Sequence, residues 1–257
     1  YKNLDKLIGK KFNSASSLAP ISRPILDGDI ELKNVSYKFL GEDQPTINNL
    51  SLKIPAGQKV AVVGKMGSGK STFSRLIAGM LEPTEGAILI DGVDVRQIDP
   101  ADLRKNIGIM LQETWLFSGT LRENIQMGFN EYDDAHVLKI CKIAGVDDFI
   151  SSHPKGYDFE IRERGVGLSG GQRQTINLAR SLLHTPKILL LDEPTSSMDQ
   201  ATEQKVIDAL REESVDKTML IVTHRNKILS MVDRVLVLEN GKIVADQSPE
   251  QLGVKKV

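Results

Sequence analysis

The spacing of apolar and polar residues changes along the chain. Ile30-Glu31-Leu32-Lys33-Asn34-Val35 alternates, which predicts a half-buried strand, and Asn48 to Ile54 repeats the pattern. Val60-Ala61-Val62-Val63, Ile188–Leu191 and Met219–Val222 are short and wholly apolar, as strands buried on both faces of a parallel sheet are. Asp91-Gly92 and Asn240-Gly241 each sit between apolar runs and suit the positive φ angles of a type I′ turn, so antiparallel hairpins are predicted near both ends. Helical spacing follows Lys70, where Phe73, Leu76, Ile77 and Met80 share one face, and recurs at Val206, Ile207 and Leu210. Residues 113–168 hold no strong strand pattern and are predicted to be a mostly helical insert. Residues 1–27, broken by Ser14, Ser16, Ser17, Pro20 and Pro24, read as a linker. No internal repeat is evident. The expected architecture is α/β with an antiparallel attachment.

Composition narrows this little. The chain has 257 residues, 40% hydrophobic and 26% charged, the balance of an ordinary globular protein. A net charge of −1 offers no electrostatic case for nucleic acid as a partner. The single cysteine, Cys141, cannot form an internal disulfide; it reads as a small buried hydrophobe and fits a reducing compartment. No run approaches the ~20 apolar residues that span a bilayer. The first residue is Tyr1 rather than Met, so the chain is expected to be part of a longer one.

The candidate chemistry begins at Gly64-Lys65-Met66-Gly67-Ser68-Gly69-Lys70-Ser71, which matches G-x-x-x-x-G-K-[ST] between an apolar strand and an amphipathic helix. Glycines let several backbone N–H groups point at one phosphate, and the helix start adds its positive end. Lys70 suits the β- and γ-phosphates and the Ser71 hydroxyl suits Mg²⁺. The run Ile188–Leu191 ends in Asp192 and Glu193. Asp192 fits a Mg²⁺-holding carboxylate, and Glu193 fits the group that orients or deprotonates an attacking water. A second glycine-rich stretch, Leu168-Ser169-Gly170-Gly171-Gln172, precedes a helix that Ser169 can cap, and makes a second candidate anion site.

In combination these motifs resemble the nucleotide-binding domain of ABC transporters over residues 29–245. Gly64–Ser71 resembles Walker A, Ile188–Asp192 Walker B, and Leu168–Gln172 the LSGGQ sequence. Gln112 resembles the Q-loop glutamine, Ser196-Ser197-Met198-Asp199 the D-loop, and His224 the switch histidine. Phe39 matches the aromatic that stacks on adenine, where the family more often has Tyr. The resemblance implies a P-loop NTPase (RecA-like) core with an antiparallel β-subdomain and an inserted helical subdomain at about 113–180. It places the whole domain at 28–250, after a 1–27 linker and before a 251–257 tail. It also implies ATP as substrate, with Lys70, Gln112, Glu193 and His224 in catalysis and Ser71, Gln112 and Asp192 at Mg²⁺. Nucleotide contacts fall to Phe39, Gly64, Lys65, Met66, Gly67, Ser68, Gly69, Lys70, Ser71, Thr72, Ser169, Gly170, Gly171, Gln172 and Asp199. Two copies would bind head to tail, each ATP lying between the glycine loop of one and Ser169 and Gly171 of the other.

Finer features bear on the kind of transporter. Phe159-Glu160-Ile161-Arg162-Glu163-Arg164-Gly165 resembles the exporter X-loop, although Arg162 stands where Gly is usual. Ile98–Arg104 and Leu116–Ile125 are similar to bacterial type I secretion ATPases. That similarity implies a transmembrane domain in the same transporter, a periplasmic adaptor, an outer-membrane channel and a place on the cytoplasmic face of the bacterial inner membrane. Peptide, bacteriocin or lipid exporters share most of these motifs. A DNA-repair ABC ATPase would need a long coiled coil in the interval filled here by residues 72–167. A nucleotide sensor would most simply lack the acid at Glu193.

Overall fold

A computed structural model describes residues 20–113, 115–129, 132–151 and 153–253. In chain order the strands are β1 (Ile30–Tyr37), β2 (Ile47–Ile54), β3 (Lys59–Val63), β4 (Glu85–Ile90), β5 (Val93–Asp94), β6 (Ile107–Met110), β7 (Gly119–Thr120), β8 (Glu160–Ile161), β9 (Ile188–Asp192), β10 (Thr218–Val222), β11 (Arg234–Glu239) and β12 (Lys242–Gln247). The helices are α1 (Lys70–Ile77), α2 (Pro100–Asn106), α3 (Leu121–Gln126), α4 (Asp134–Ala144), α5 (Asp147–Ile150), α6 (Gly170–Leu182), α7 (Gln200–Glu213) and α8 (Asn226–Leu229).

Two principal sheets form. The larger has the order β12-β11-β3-β10-β9-β6, parallel from β11 to β6 and closed at one edge by antiparallel β12. The smaller, β2-β1-β4-β5, is antiparallel. Every residue of β9 and β10 is buried, which accounts for the unbroken apolar runs Ile188–Leu191 and Met219–Val222 within them. The predicted hairpins join β4 to β5 and β11 to β12. Asp91 and Gly92 have φ of 50° and 78°, and Asn240 and Gly241 of 48° and 73°, as a type I′ turn requires.

One apolar cluster lies under the smaller sheet and α1; the other joins α3–α7 to the opposite face of the larger sheet. Cys141 is fully buried in the second cluster, and burial pushes its thiol up to about 12. The insert is helical as expected, except for the two-residue ladder β7–β8, too short to show as an alternating pattern. Met80 departs from the sequence reading. Helix α1 ends at Ile77, Gly79 turns the chain at φ 68°, and Met80 stands 54% exposed beyond the end.

The expected linker falls largely outside the described residues, as do residues 254–257 of the expected tail. Residues 20–27, however, lie on the domain. Leu26 is 1% exposed, Ile21 bridges Ile98, and the N–H groups of Asp27, Gly28 and Asp29 all donate to the Asp91 carboxylate. No helix among the described residues is long and apolar enough to cross a membrane.

Gly108 in β6 marks the tightest contact between the sheet and α6. A Cβ there would lie 2.0 Å from the Ser181 carbonyl oxygen and 2.7 Å from the Pro186 ring. Gly108→Ala should cost about 1–3 kcal/mol through overpacking, seen as a lower urea midpoint at unchanged slope.

Candidate active site

The carboxyl ends of β3, β10 and β9 lie side by side, where ligand sites of open parallel sheets form. Val222 pairs with both Val62 and Asp192, so three chain crossings leave the sheet at one level.

From β3 the chain enters the glycine-rich loop. Two of its glycines admit no side chain. A Cβ on Gly64 would lie 2.2 Å from the Leu238 carbonyl oxygen; one on Gly69, at φ 100°, would lie 2.8 Å from that of Thr46. The loop folds round the Lys70 ammonium, which donates to the carbonyls of Gly64 (2.8 Å) and Lys65 (2.9 Å). Lys70 is also the first residue of α1, so a cation and free helix N–H groups share one place, an arrangement that attracts anions. Met66 is fully exposed at the tip of the loop, Thr72 is buried, and Ser68 Oγ is buried without a partner.

Ser71 Oγ donates to Asp192 Oδ2 at 2.7 Å, and Asp192 is 4% exposed. Glu193 follows in a left-handed conformation at φ 50°, a strained state for this residue, held by its N–H bond to the Val222 carbonyl (2.8 Å). His224 Nδ1 lies 2.7 Å from Glu193 Oε1. In this contact an Nδ1–H donates to the carboxylate oxygen. The Glu193 side chain is 15% exposed and that of His224 78%; Glu193 Oε2 is buried with no partner. A carboxylate oriented by a histidine beside an anion cradle suits activation of water.

The remaining predicted residues lie apart from this cluster or in structural roles. Ser169 caps α6: its Oγ accepts from the Gln172 N–H, and Gln172 Oε1 accepts from the Ser169 N–H. Gly170 packs on the Ser197 side chain and Gly171 on the 197–198 backbone, where a Cβ on Gly171 would approach the Ser197 carbonyl oxygen to 2.9 Å. Asp199 caps α7. It accepts from Thr202 and Ala201, and the Thr202 bonds above all hold its carboxyl below the usual carboxylate range. Gln112 is exposed just beyond β6. Phe39 packs edge-on against Tyr37, with ring centroids 4.9 Å apart. Arg164, also left-handed at φ 58°, lies over the Trp115 ring at 5.3 Å.

Four residues not singled out in the sequence hold the loop after Glu193. Glu203 Oε1 accepts from the Thr195 hydroxyl (2.9 Å) and from Arg225 (2.6 Å), while Arg225 also donates to the Ser196 carbonyl (2.8 Å). Gln174 reaches the same loop from α6. The signal was faint but present: Glu203 shares a helix face with Val206, Ile207 and Leu210, a charge at a core position.

A family model described as ABC transporter matches residues 47–196. Among curated proteins, the cyclolysin secretion/processing ATP-binding protein CyaB of Bordetella pertussis is 41% identical over 89% of this chain and 32% of its own length. A putative multidrug export ATP-binding/permease protein of Staphylococcus aureus, SAB1799c, is 38% identical over 98% of this chain and 43% of its own. The structure of a bacterial Atm1-family ABC exporter with ATP bound superimposes with a TM-score of 0.90 at 35% identity, over 98% of this chain and 44% of that one. The chain thus spans between about a third and just under half of the length of these relatives.

Burial opposes ionisation of Glu203, but the bonds from Arg225 and Thr195 and the charges of Arg225 and Lys227 outweigh it, and the carboxyl sits below its usual 4.5. Its stabilisation is therefore complete above that pH and is lost as pH falls through the lowered value. Glu203→Gln should cost about 1.5–3 kcal/mol at pH 7. In denaturation series at several pH values, the gap from the parent chain should close as acid titrates the glutamate.

Proposed function

The chain belongs to the ABC transporter family as one of its ATP-binding, ATP-hydrolysing domains, and from that premise we propose that it powers an exporter by hydrolysing Mg-ATP in a head-to-tail dimer. The observation that carries the reading is the gathering at three adjacent strand ends of the glycine loop folded round Lys70, the Ser71–Asp192 pair and the Glu193–His224 pair. Lys70, the N–H groups of 64–71 and Thr72 hold the phosphates. Phe39 stacks on adenine. Ser71 and Asp192 already face each other as two oxygen donors, the donor type a hard divalent cation takes, so this pair fits Mg²⁺, and Gln112 is assigned to the same ion by resemblance to the Q-loop alone. When bound, Mg²⁺ supplies charge neutralisation at the phosphate oxygens. Glu193 orients the attacking water and receives its proton, and His224 contacts the γ-phosphate.

The second glycine stretch makes sense only across a dimer. Ser169, Gly170, Gly171 and Gln172, with Asp199, complete the site of the other copy. Residues 28–250 form this domain, 1–27 lead to it and 251–257 form a tail. The rest of the transporter supplies the membrane passage. Trp115, Phe117, Met127 and Phe129 of the insert are 41–57% exposed, a face suited to docking that partner, with Arg164 beside it.

The substrate class we favour is protein, exported by a type I secretion system at a bacterial inner membrane with a periplasmic adaptor and an outer-membrane channel. Similarity to CyaB and the Ile98–Arg104 and Leu116–Ile125 stretches support it. Parts of those stretches also serve the fold. Asp99 caps α2 ahead of Pro100, Thr120 and Glu123 form a capping box, and Asn124 pins the backbone of Phe117. The second reading, export of a small molecule, peptide or lipid, is favoured by the longer match to the multidrug-type protein.

Lys70→Ala should abolish phosphate release, and retained turnover would refute the assignment. Glu193→Gln should bind ATP yet accumulate dimers in light scattering; a purely monomeric variant in excess Mg-ATP would refute the dimer. Deleting the gene should remove a large protein from the medium or cell surface. Intact secretion with failed passage of a lipid, peptide or drug would decide for the second reading.

A further inference from the structure

Gln174 lies in the first turns of α6, 8% exposed, and the whole of its amide is committed to residues 193–197. Nε2 donates to the Glu193 carbonyl at 2.6 Å and to Ser196 Oγ at 3.0 Å; Oε1 accepts from the Ser197 N–H at 2.9 Å. The partners fix the amide's orientation, since a carbonyl only accepts and an N–H only donates. Both backbone polar groups of the strained Glu193 are thus pinned, its N–H to β10 and its carbonyl to α6. Gly170 and Gly171 of the same helix turn press on Ser197 and Met198 without room for a side chain on Gly171. The start of α6 and the 193–198 loop are therefore joined by backbone contact and by one side chain.

We propose that Gln174 is a positioning residue for hydrolysis, holding Glu193 in its left-handed conformation and coupling it to Ser169–Gly171 of the same chain. This rests on the head-to-tail dimer. In that arrangement Glu193 serves the ATP held by its own chain, whereas Ser169–Gly171 serves the ATP held by the partner. One buried amide then bridges two reaction sites. Displacement of Ser169–Gly171 by a γ-phosphate at one site shifts the Glu193 carbonyl at the other, so the sites do not hydrolyse independently.

Gln174→Met keeps the shape and removes the amide. Its kcat should fall about tenfold or more with KM within about twofold, a split that a general loss of folded protein would not give. In mixed dimers, a chain carrying both Gln174→Met and Glu193→Gln is paired with a parental chain. The surviving site there uses the parental Glu193 and the variant's Ser169, and it should turn over several-fold more slowly than in the pair lacking Gln174→Met. An unchanged kcat in the Gln174→Met chain overturns the proposal, and equal rates in the two mixed dimers overturn its cross-site half. If Gln174→Met fails to fold by circular dichroism, Ser196→Ala carries the test: it removes one of the three bonds at an exposed residue. Its kcat should fall by about twofold or more at unchanged KM, and parental turnover refutes the clamp. Failure of the dimer reading looks different: Glu193→Gln then stays monomeric with ATP, and a fall in kcat without ATP dimers leaves Gln174 acting within one chain only, against the proposed coupling.

Discussion

Parallel pairing of β3, β10 and β9 is the constraint on which the site depends. Val222 stands opposite Val62 on one side and Asp192 on the other, so the chain leaves all three strands at the same height. Residues 64–71, 192–193 and 223–224 then meet without any long side chain having to reach. Hydrogen bonds complete the alignment across strand ends: Glu193 N–H to the Val222 carbonyl, and Thr223 N–H to that of Val62. A one-residue slip of β9 would turn Asp192 to the opposite face of the sheet and separate it from Ser71.

That placement has an energetic cost, and the surroundings offset it. Glu193 occupies a backbone region unfavourable to it, and Asp192 and Glu203 are carboxylates with little access to water. Polar partners offset this: Asp192 meets the Ser71 hydroxyl, Glu203 meets Thr195, Arg225 and Lys227, and Glu193 meets His224 through Oε1 and Gln174 through its carbonyl, while its Oε2 has no partner. The loop between β9 and α7 is held from α6 on one side and from the His224–Arg225 segment on the other. Its shape is set by polar bonds and by contact with glycines of α6.

The glycine-rich segments use similar backbone chemistry for different ends. In 64–71 the Gly64 and Lys65 carbonyls accept from a lysine of the same chain. In 168–172 the Ser169 and Gln172 side chains satisfy each other, and the glycines lie against residues 197–198. The second segment is built as a finished helix start.

How much of this the sequence carries differs by element. The G-x-x-x-x-G-K-[ST] run, the acids closing Ile188–Leu191 and the Asx-Gly turns are local: their chemistry depends on adjacent residues whose order is the message. The insert's helices and the buried Cys141 were legible for the same reason. Met80 was misread because apolar spacing continues past the point where Gly79 ends the helix, and the β7–β8 pair because two residues make no period. Gln174, Thr195 and Arg225 carry no local signature, since each is indistinguishable along the chain from an ordinary polar surface position, and Glu203 shows only as a charge on an apolar helix face. The parallel core, the glycine-rich loop and the candidate site residues are legible along the chain, because those follow from short-range stereochemistry and side-chain type. Only the tertiary structure decided that Glu193 is strained, which histidine nitrogen faces it and which buried polar groups hold it there, because hydrogen bonding and burial depend on neighbours that the fold, not the order of residues, brings together.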